Sequence, residues 1–349
     1  MSKSFDMTNS FDLNESVTAA LAVLDAHLRS KLQSLAAESL DSQRLFHGRG
    51  HCYPGLEMLA VDLYDPVVCV TLFVAGENEE AILQCIERCY DDFTSRFEAL
   101  VVQRRYLDGA PMEVLRGVQP EKVYARRGDL RFHLKLGQRQ NSGYFLDMEP
   151  GRVWLEGMCR SKKVLNLFSY TCAFSVVAIQ AGATEVINVD MSRAALNLGR
   201  DNHHLNKLPK QKSRFLARNI LKSWNSIKQP GPYDIAIIDP PTFQHGSFVC
   251  SKDYARVIRR LPQFMRAGGD VLACLNAPAL NVDFLRELFA VECPQCEFVG
   301  RLEPSADFPD VDADRQLKLL HFRFNNAEEP APEQSSNVQN SAEVVSLSE

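Results

Sequence analysis

The chain has 349 residues, 45% of them apolar and 24% charged, with a formal net charge of −5. That balance excludes a disordered chain and describes an ordinary soluble protein with room for two domains and a large core. No apolar run approaches the roughly 20 residues that span a bilayer, and no membrane partner is expected.

In chain order, residues 1–14 are polar and are expected to be disordered. Asn14 then caps a helix with Val17, Leu21, Leu24, Leu28, Leu32 and Leu35 at helical spacing. Residues 15–136 read as this helix plus a small α+β domain on the substrate side. Within it, 56–64 and 67–74 are β-rich and joined at Asp65-Pro66, a hairpin signal. An amphipathic helix is expected over 77–93, and further strands over 97–106 and 130–136. Residues 137–161 bridge to the next unit; their Gly143-Tyr144-Phe145-Leu146-Asp147 is too aromatic for a plain linker and is expected to act as a flap.

From residue 162 to 325 strand and helix alternate, the signature of a doubly wound α/β sheet. The organising stretch is Val164-Leu-Asn-Leu-Phe168, a strand that breaks at Ser169-Tyr170-Thr171 and resumes as a helix over 173–181. The next strand, 185–190, ends in Asp190, about 20 residues beyond the first turn, where a nucleotide-binding unit places the acid that holds ribose hydroxyls. A helix capped by Ser192 follows, then strands over 214–217, 233–239, 270–276, 297–302 and 317–324. Further helices are expected over 254–265 and 282–289. Residues 326–349 are acidic, poor in large apolar side chains, and expected to be disordered.

The turn after the first strand lacks G-x-G-x-x-G. The expected ligand is thus an adenosine without a pyrophosphate, a description that S-adenosylmethionine (SAM) fits. Ligands of such sheets bind beyond the carboxyl ends of the strands. Those ends carry Phe168-Ser169, Asp190, Asn219, Asp239-Pro-Pro-Thr-Phe243 and Asn276. All five are polar or aromatic, where a purely structural sheet needs neither.

Ten cysteines lie among core-like residues without an export signal, which predicts reduced thiols and a cytoplasmic protein. Cys293 and Cys296 form a Cys-x-x-Cys with no second pair; it reads as a loop with two thiols, and no metal is expected. Despite the negative total, residues 193–228 hold nine Lys/Arg against one acid. A basic face for nucleic acid is one reading of that run, a solvated charged surface the other.

Asn-Ser-Gly-Tyr-Phe-Leu-Asp147, Val-Leu-Asn-Leu-Phe-Ser-Tyr-Thr171, Val-Asp-Met-Ser-Arg193, Asn206-Lys-Leu208 and Ile-Asp-Pro-Pro-Thr-Phe243 together resemble class I SAM-dependent methyltransferases. More closely they resemble the bacterial large-subunit ribosomal RNA methyltransferases that act on cytosine C5 or guanine N7. The resemblance covers residues 44–324 and implies a Rossmann-like, seven-stranded doubly wound sheet and a ribosomal RNA partner. It implies that Asp190, followed by Met191 and Ser192, binds the ribose hydroxyls and that Asn219 faces the adenine amine. Asp147, Asn166, Phe168, Ser169, Tyr170 and Thr171 are implied around the methionine end. Asp239, Pro240, Pro241 and Phe243 are implied at the target base, with Asn276 beside it and Asp239 also touching the cofactor.

Three positions depart from that pattern. Cys172 stands where the family has Gly and is expected to narrow the turn against the cofactor. Asn219 replaces Asp, and Glu149 replaces Arg. No counterpart of the family's separate N-terminal RNA-binding module is expected in this sequence. C5 methylation needs a thiolate, but the matching positions are Asn276 and Thr242, and Cys274 reads as a buried strand residue. The expected target is therefore a nitrogen of guanine-N7 type. The alternatives are a methyltransferase acting on protein or a small molecule, and a non-catalytic RNA-binding member.

Overall fold

The computed structural model describes residues 8–35, 39–138, 141–244 and 246–325, with backbone only for 8–14. The expected disorder of 1–7 and 326–349 lies outside these residues. Helix α1 (Thr8–Ser34) starts ahead of the expected Asn14. Its Leu24, Leu28 and Leu32 are buried against α2 (Glu79–Asp91) and a five-stranded sheet. That sheet runs β1 (Gln43–His47), β2 (Leu59–Tyr64), β3 (Val67–Leu72), β4 (Ala99–Arg104) and β5 (Met112–Gly117) in spatial order. β2 and β3 form the expected hairpin, and α2 carries the parallel crossover from β3 to β4. A second hairpin, β6 (Tyr124–Arg127) and β7 (Leu130–His133), lies against the other face.

The second sheet has seven strands. They are β8 (Lys163–Leu167), β9 (Glu185–Asp190), β10 (Ser213–Ala217), β11 (Tyr233–Ile238), β14 (Met265–Leu275), β15 (Cys296–Arg301) and β16 (Lys318–Phe324). A short ribbon, β12 (Phe243–Gln244) with β13 (Phe248–Val249), follows β11. The order is β10-β9-β8-β11-β14-β16-β15, parallel except for β16. The chain therefore winds outward from β8 in both directions. The crevice opens between β8 and β11, where Leu167 lies beside Ile238.

Helix α3 (Glu149–Met158), in the segment expected to be a bridge, packs with α4 (Ala173–Gln180) on one face of this sheet. Among the described residues of that segment, Asn141, Ser142, Gly143, Phe145, Asp147 and Met148 border the crevice. Helices α5 (Arg193–Leu205), α6 (Trp224–Lys228), α7 (Cys250–Ile258) and α8 (Val282–Glu292) complete the layers. One apolar cluster joins the smaller domain to α4 of the larger one; in it Val67, Val101, Phe132, Tyr144 and Val176 meet. That cluster fixes the smaller domain beside the crevice. Cys293 and Cys296 sit in the core with their sulfurs 3.0 Å apart.

Candidate functional site: a nucleoside cleft at the switch point

Asp190 ends β9, and each of its oxygens accepts a backbone N–H, from Tyr170 (2.9 Å) and from Ser192 (2.7 Å). Burial pushes its pKa up, while these two bonds pull it back. Lone pairs remain for two adjacent hydroxyls. Ser192 also caps α5, its hydroxyl accepting from Ala195 N at 3.1 Å.

The turn after β8 is tight. Phe168, Tyr170 and Cys172 all adopt positive φ (57°, 46° and 61°), a conformation that side chains other than Gly rarely take and that clusters at ligand sites. Cys172 does not narrow the cleft. It is fully buried, and its sulfur points to α5, 2.5 Å from where a Cβ on Gly199 would stand. The space that a glycine in the turn would leave is thus opposed by a glycine in the helix. Thr171 donates to the Gly143 carbonyl at 2.6 Å and ties the 141–145 segment over the turn. Phe145 packs on Tyr170 with ring centroids 5.6 Å apart.

Between these elements lies a cleft of about 380 Å³, within the range of small-ligand sites. Asp147, Phe168, Tyr170, Thr171, Asp190, Met191, Ser192, Asn219, Asp239, Pro240, Pro241 and Asn276 line it. Three expected residues do not. Asn166 points into the core, donating to Asn188 at 2.9 Å. Ser169 is buried and shapes the turn, its carbonyl accepting from Cys172 N. Phe243 stands outside, 65% exposed beside the lining Thr242 and Gln244.

Asp239 and Asp147 face the same cleft. Burial, reinforced by Asp147, pushes Asp239 up to about 7, against the pull of Arg152. Burial also raises Asp147, which Arg44 and Arg152 partly offset. Two buried carboxylates facing one concave site are disfavoured as anions by burial, and a cationic ligand between them would offset that cost. The cleft offers what SAM would need: free acceptors at Asp190 for a ribose, carboxylates at Asp147 and Asp239 for a cationic group, and a wall of Met191, Asn219 and Ile220 that could take the adenine.

Sequence reasoning missed several supporting groups. Buried Asn202 donates to Thr171 O (3.0 Å) and accepts from His133 N (2.8 Å), locking α5 to the turn and to β7. Tyr254 donates its hydroxyl to the carbonyls of Ile238 and Cys274, both at 3.1 Å, and braces the strand ends beneath Asp239. Asn202 carried one signal, an amide on the apolar face of α5. Glu149 turns away from the cleft to pair with Arg127 (2.6 Å) and Arg152 (3.3 Å). Arg152 in turn lies 3.9 Å from the Tyr144 ring and donates to the Phe145 carbonyl, holding the 144–145 backbone in place.

The family model for S-adenosylmethionine-dependent methyltransferases matches residues 43–323. The chain belongs to this family. The methyltransferase is 26% identical to the ribosomal RNA large subunit methyltransferase I of Aliivibrio fischeri, over 86% of this chain and 78% of that protein. It is 25% identical to the protein of the same name from Serratia proteamaculans, over 78% and 72%. A SAM-dependent methyltransferase structure from Streptococcus mutans shares the fold with a TM-score of 0.76 at 24% identity, covering 88% of this chain and 81% of that one. A methyltransferase structure complexed with S-adenosylhomocysteine has a TM-score of 0.77 at 24% identity, with the same coverage. The methyltransferase uses SAM, which supplies a methyl group on a sulfonium when bound. No helix among the described residues is long and apolar enough to cross a membrane.

Proposed function

We propose that this methyltransferase modifies a base nitrogen, of guanine-N7 type, in large-subunit ribosomal RNA. The names of its curated relatives support the RNA class. The observation that carries the choice of atom is the chemistry of the cleft wall. Among the described residues, no cysteine lines the cleft around Asp239-Pro240-Pro241. Cys274, the candidate for C5 chemistry, is fully buried in the layer beneath α3 and α4. Burial, then Asp239 and Asp147, hold its thiol far above the ordinary range. Cys69 lines the neighbouring cavity, but burial pushes it up to about 12. A thiol held protonated is a poor nucleophile.

N7 of guanine carries an in-plane lone pair and no proton, so attack on a sulfonium methyl needs placement and no general base. Asp239 and the Pro240 and Pro241 carbonyls offer acceptors to a base amine or imino group. Thr242 donates to the Asn276 carbonyl, fixing this loop to the end of β14. Phe243, exposed outside the cleft next to Thr242, offers a ring face on which a base could stack, worth about 1–3 kcal/mol. The test is methyl transfer from labelled SAM to unmodified large-subunit RNA. Labelling of guanosine supports the proposal; labelled cytidine, a trapped adduct with 5-fluorocytosine RNA, or no transfer to RNA overturns it.

A further inference from the structure

A second cavity of about 530 Å³ lies between the two domains. It joins the cofactor cleft through Asn141, Ser142, Phe145, Asp147, Pro241 and Asn276, which line both. Four arginines reach it. Two are neutralised: Arg44 pairs with Asp62, and Arg315 lies 3.7 Å from Asp310. Arg49 and Arg105 have no carboxylate within ion-pair distance among the described residues, whereas the adjacent Arg104 has both Glu79 and Glu113.

The two free cations flank one ring. The Arg49 guanidinium lies 4.0 Å and that of Arg105 5.1 Å from the centre of Phe73. Burial, joined by neighbouring arginines, makes both charges harder to hold. Their presentation is rigid. Arg49 sits between Gly48 and Gly50, where a Cβ would collide with the carbonyls of Leu56 and Pro309 respectively. Gly50 accepts from Val311 N at 2.9 Å, so the turn is clamped between the domains. Arg105 donates to the Asn141 side chain at 3.1 Å, and Asn141 borders both cavities. Two stacked, uncompensated guanidiniums on a fixed backbone are a preorganised anion site, and Arg matches phosphate geometry.

We propose that Arg49 and Arg105, stacked on Phe73, grip the phosphodiester backbone next to the nucleotide whose base enters the cleft at Asp239. This rests on the RNA reading above. It assigns the smaller domain the task of holding the backbone while the larger one holds base and cofactor.

The test is binding of an unmodified large-subunit RNA fragment over a salt series, for the wild-type protein, Arg49→Ala, Arg105→Ala and the double variant, with SAM affinity measured in parallel. Each phosphate contact on a single strand contributes about 0.7 to the slope of log affinity against log salt. The double variant should bind RNA at least tenfold more weakly, with a slope shallower by about 1–2, and bind SAM unchanged. Arginine modification by phenylglyoxal supplies a measure on the intact chain: RNA should protect Arg49 and Arg105, and SAM should not. A wild-type slope retained in the double variant, or no protection by RNA, overturns the clamp alone. A wild-type protein with no salt-dependent RNA binding overturns the RNA reading and the clamp with it.

Discussion

Cys172 and Gly199 are complementary across the turn and α5: the sulfur of one occupies the space that a side chain on the other would fill. Gly199→Ala should therefore overpack the site, losing about 1–3 kcal/mol of stability and weakening SAM binding by displacing the turn. Adding Cys172→Gly should restore both. Chemical denaturation and calorimetry on the two single variants and the double give the coupling directly. Simple additivity would mean that the two do not share this space.

Asp190 spends one lone-pair direction of each oxygen on the backbone and keeps the rest for ligand. Asp190→Ala should weaken SAM binding at least tenfold, about 1.4 kcal/mol. The loss should be accompanied by reduced order in the 168–172 turn, which loses its Tyr170 anchor. Calorimetry checks the first and amide hydrogen exchange the second; unchanged affinity contradicts the assignment.

Asp239, pushed up to about 7, should tie activity to pH if it faces the target base as proposed. Between the ordinary carboxylate pKa and about 7 the folded apo protein binds more protons than the unfolded chain. Stability contributed by this group therefore falls as pH rises through that window. Asp239→Asn should melt higher than wild type above pH 7 and match it near pH 4. Its methyl transfer should be lost, while in the wild type transfer should rise with pH through the window. Thermal melts and single-turnover rates across pH 5–9 test both; a flat wild-type profile with active Asp239→Asn contradicts the role.

Cys274→Ala should cost about 1 kcal/mol through a small cavity in the core under α3 and α4 and keep substantial methyl transfer. Denaturation midpoints and initial rates with labelled SAM measure the two effects. A folded but inactive variant would give the sulfur a chemical role.

The cleft was legible in the sequence because its residues interrupt apolar strands. Asp190, Asp239 and Asn276 each follow a buried apolar run, and they are the positions at which burial stops explaining the residue. Asn166 misled for the opposite reason. It lies inside such a run, but its amide is satisfied by Asn188 on the neighbouring strand, a partner that local pattern does not reveal. β1, β5 and β6 were not anticipated because their residues are only half-buried or lie next to charged turns, which leaves little alternation to read. Helix α3 was hidden by its start at Glu149-Pro150-Gly151, which resembles a linker although proline suits a first helical turn. The cavity between the domains depends on contacts such as Gly50 to Pro309, far apart in the chain, and no local signal carries them.

The central claim is that SAM and the Asp239-Pro-Pro loop deliver a methyl group to a guanine nitrogen of large-subunit RNA. Its most direct test is mass spectrometry of nucleosides from that RNA, taken from cells with and without the gene. The account predicts that one 7-methylguanosine disappears without the gene and returns with the wild-type protein but not with Asp239→Ala. Loss of a 5-methylcytidine instead, or an unchanged set of modified nucleosides, would contradict it.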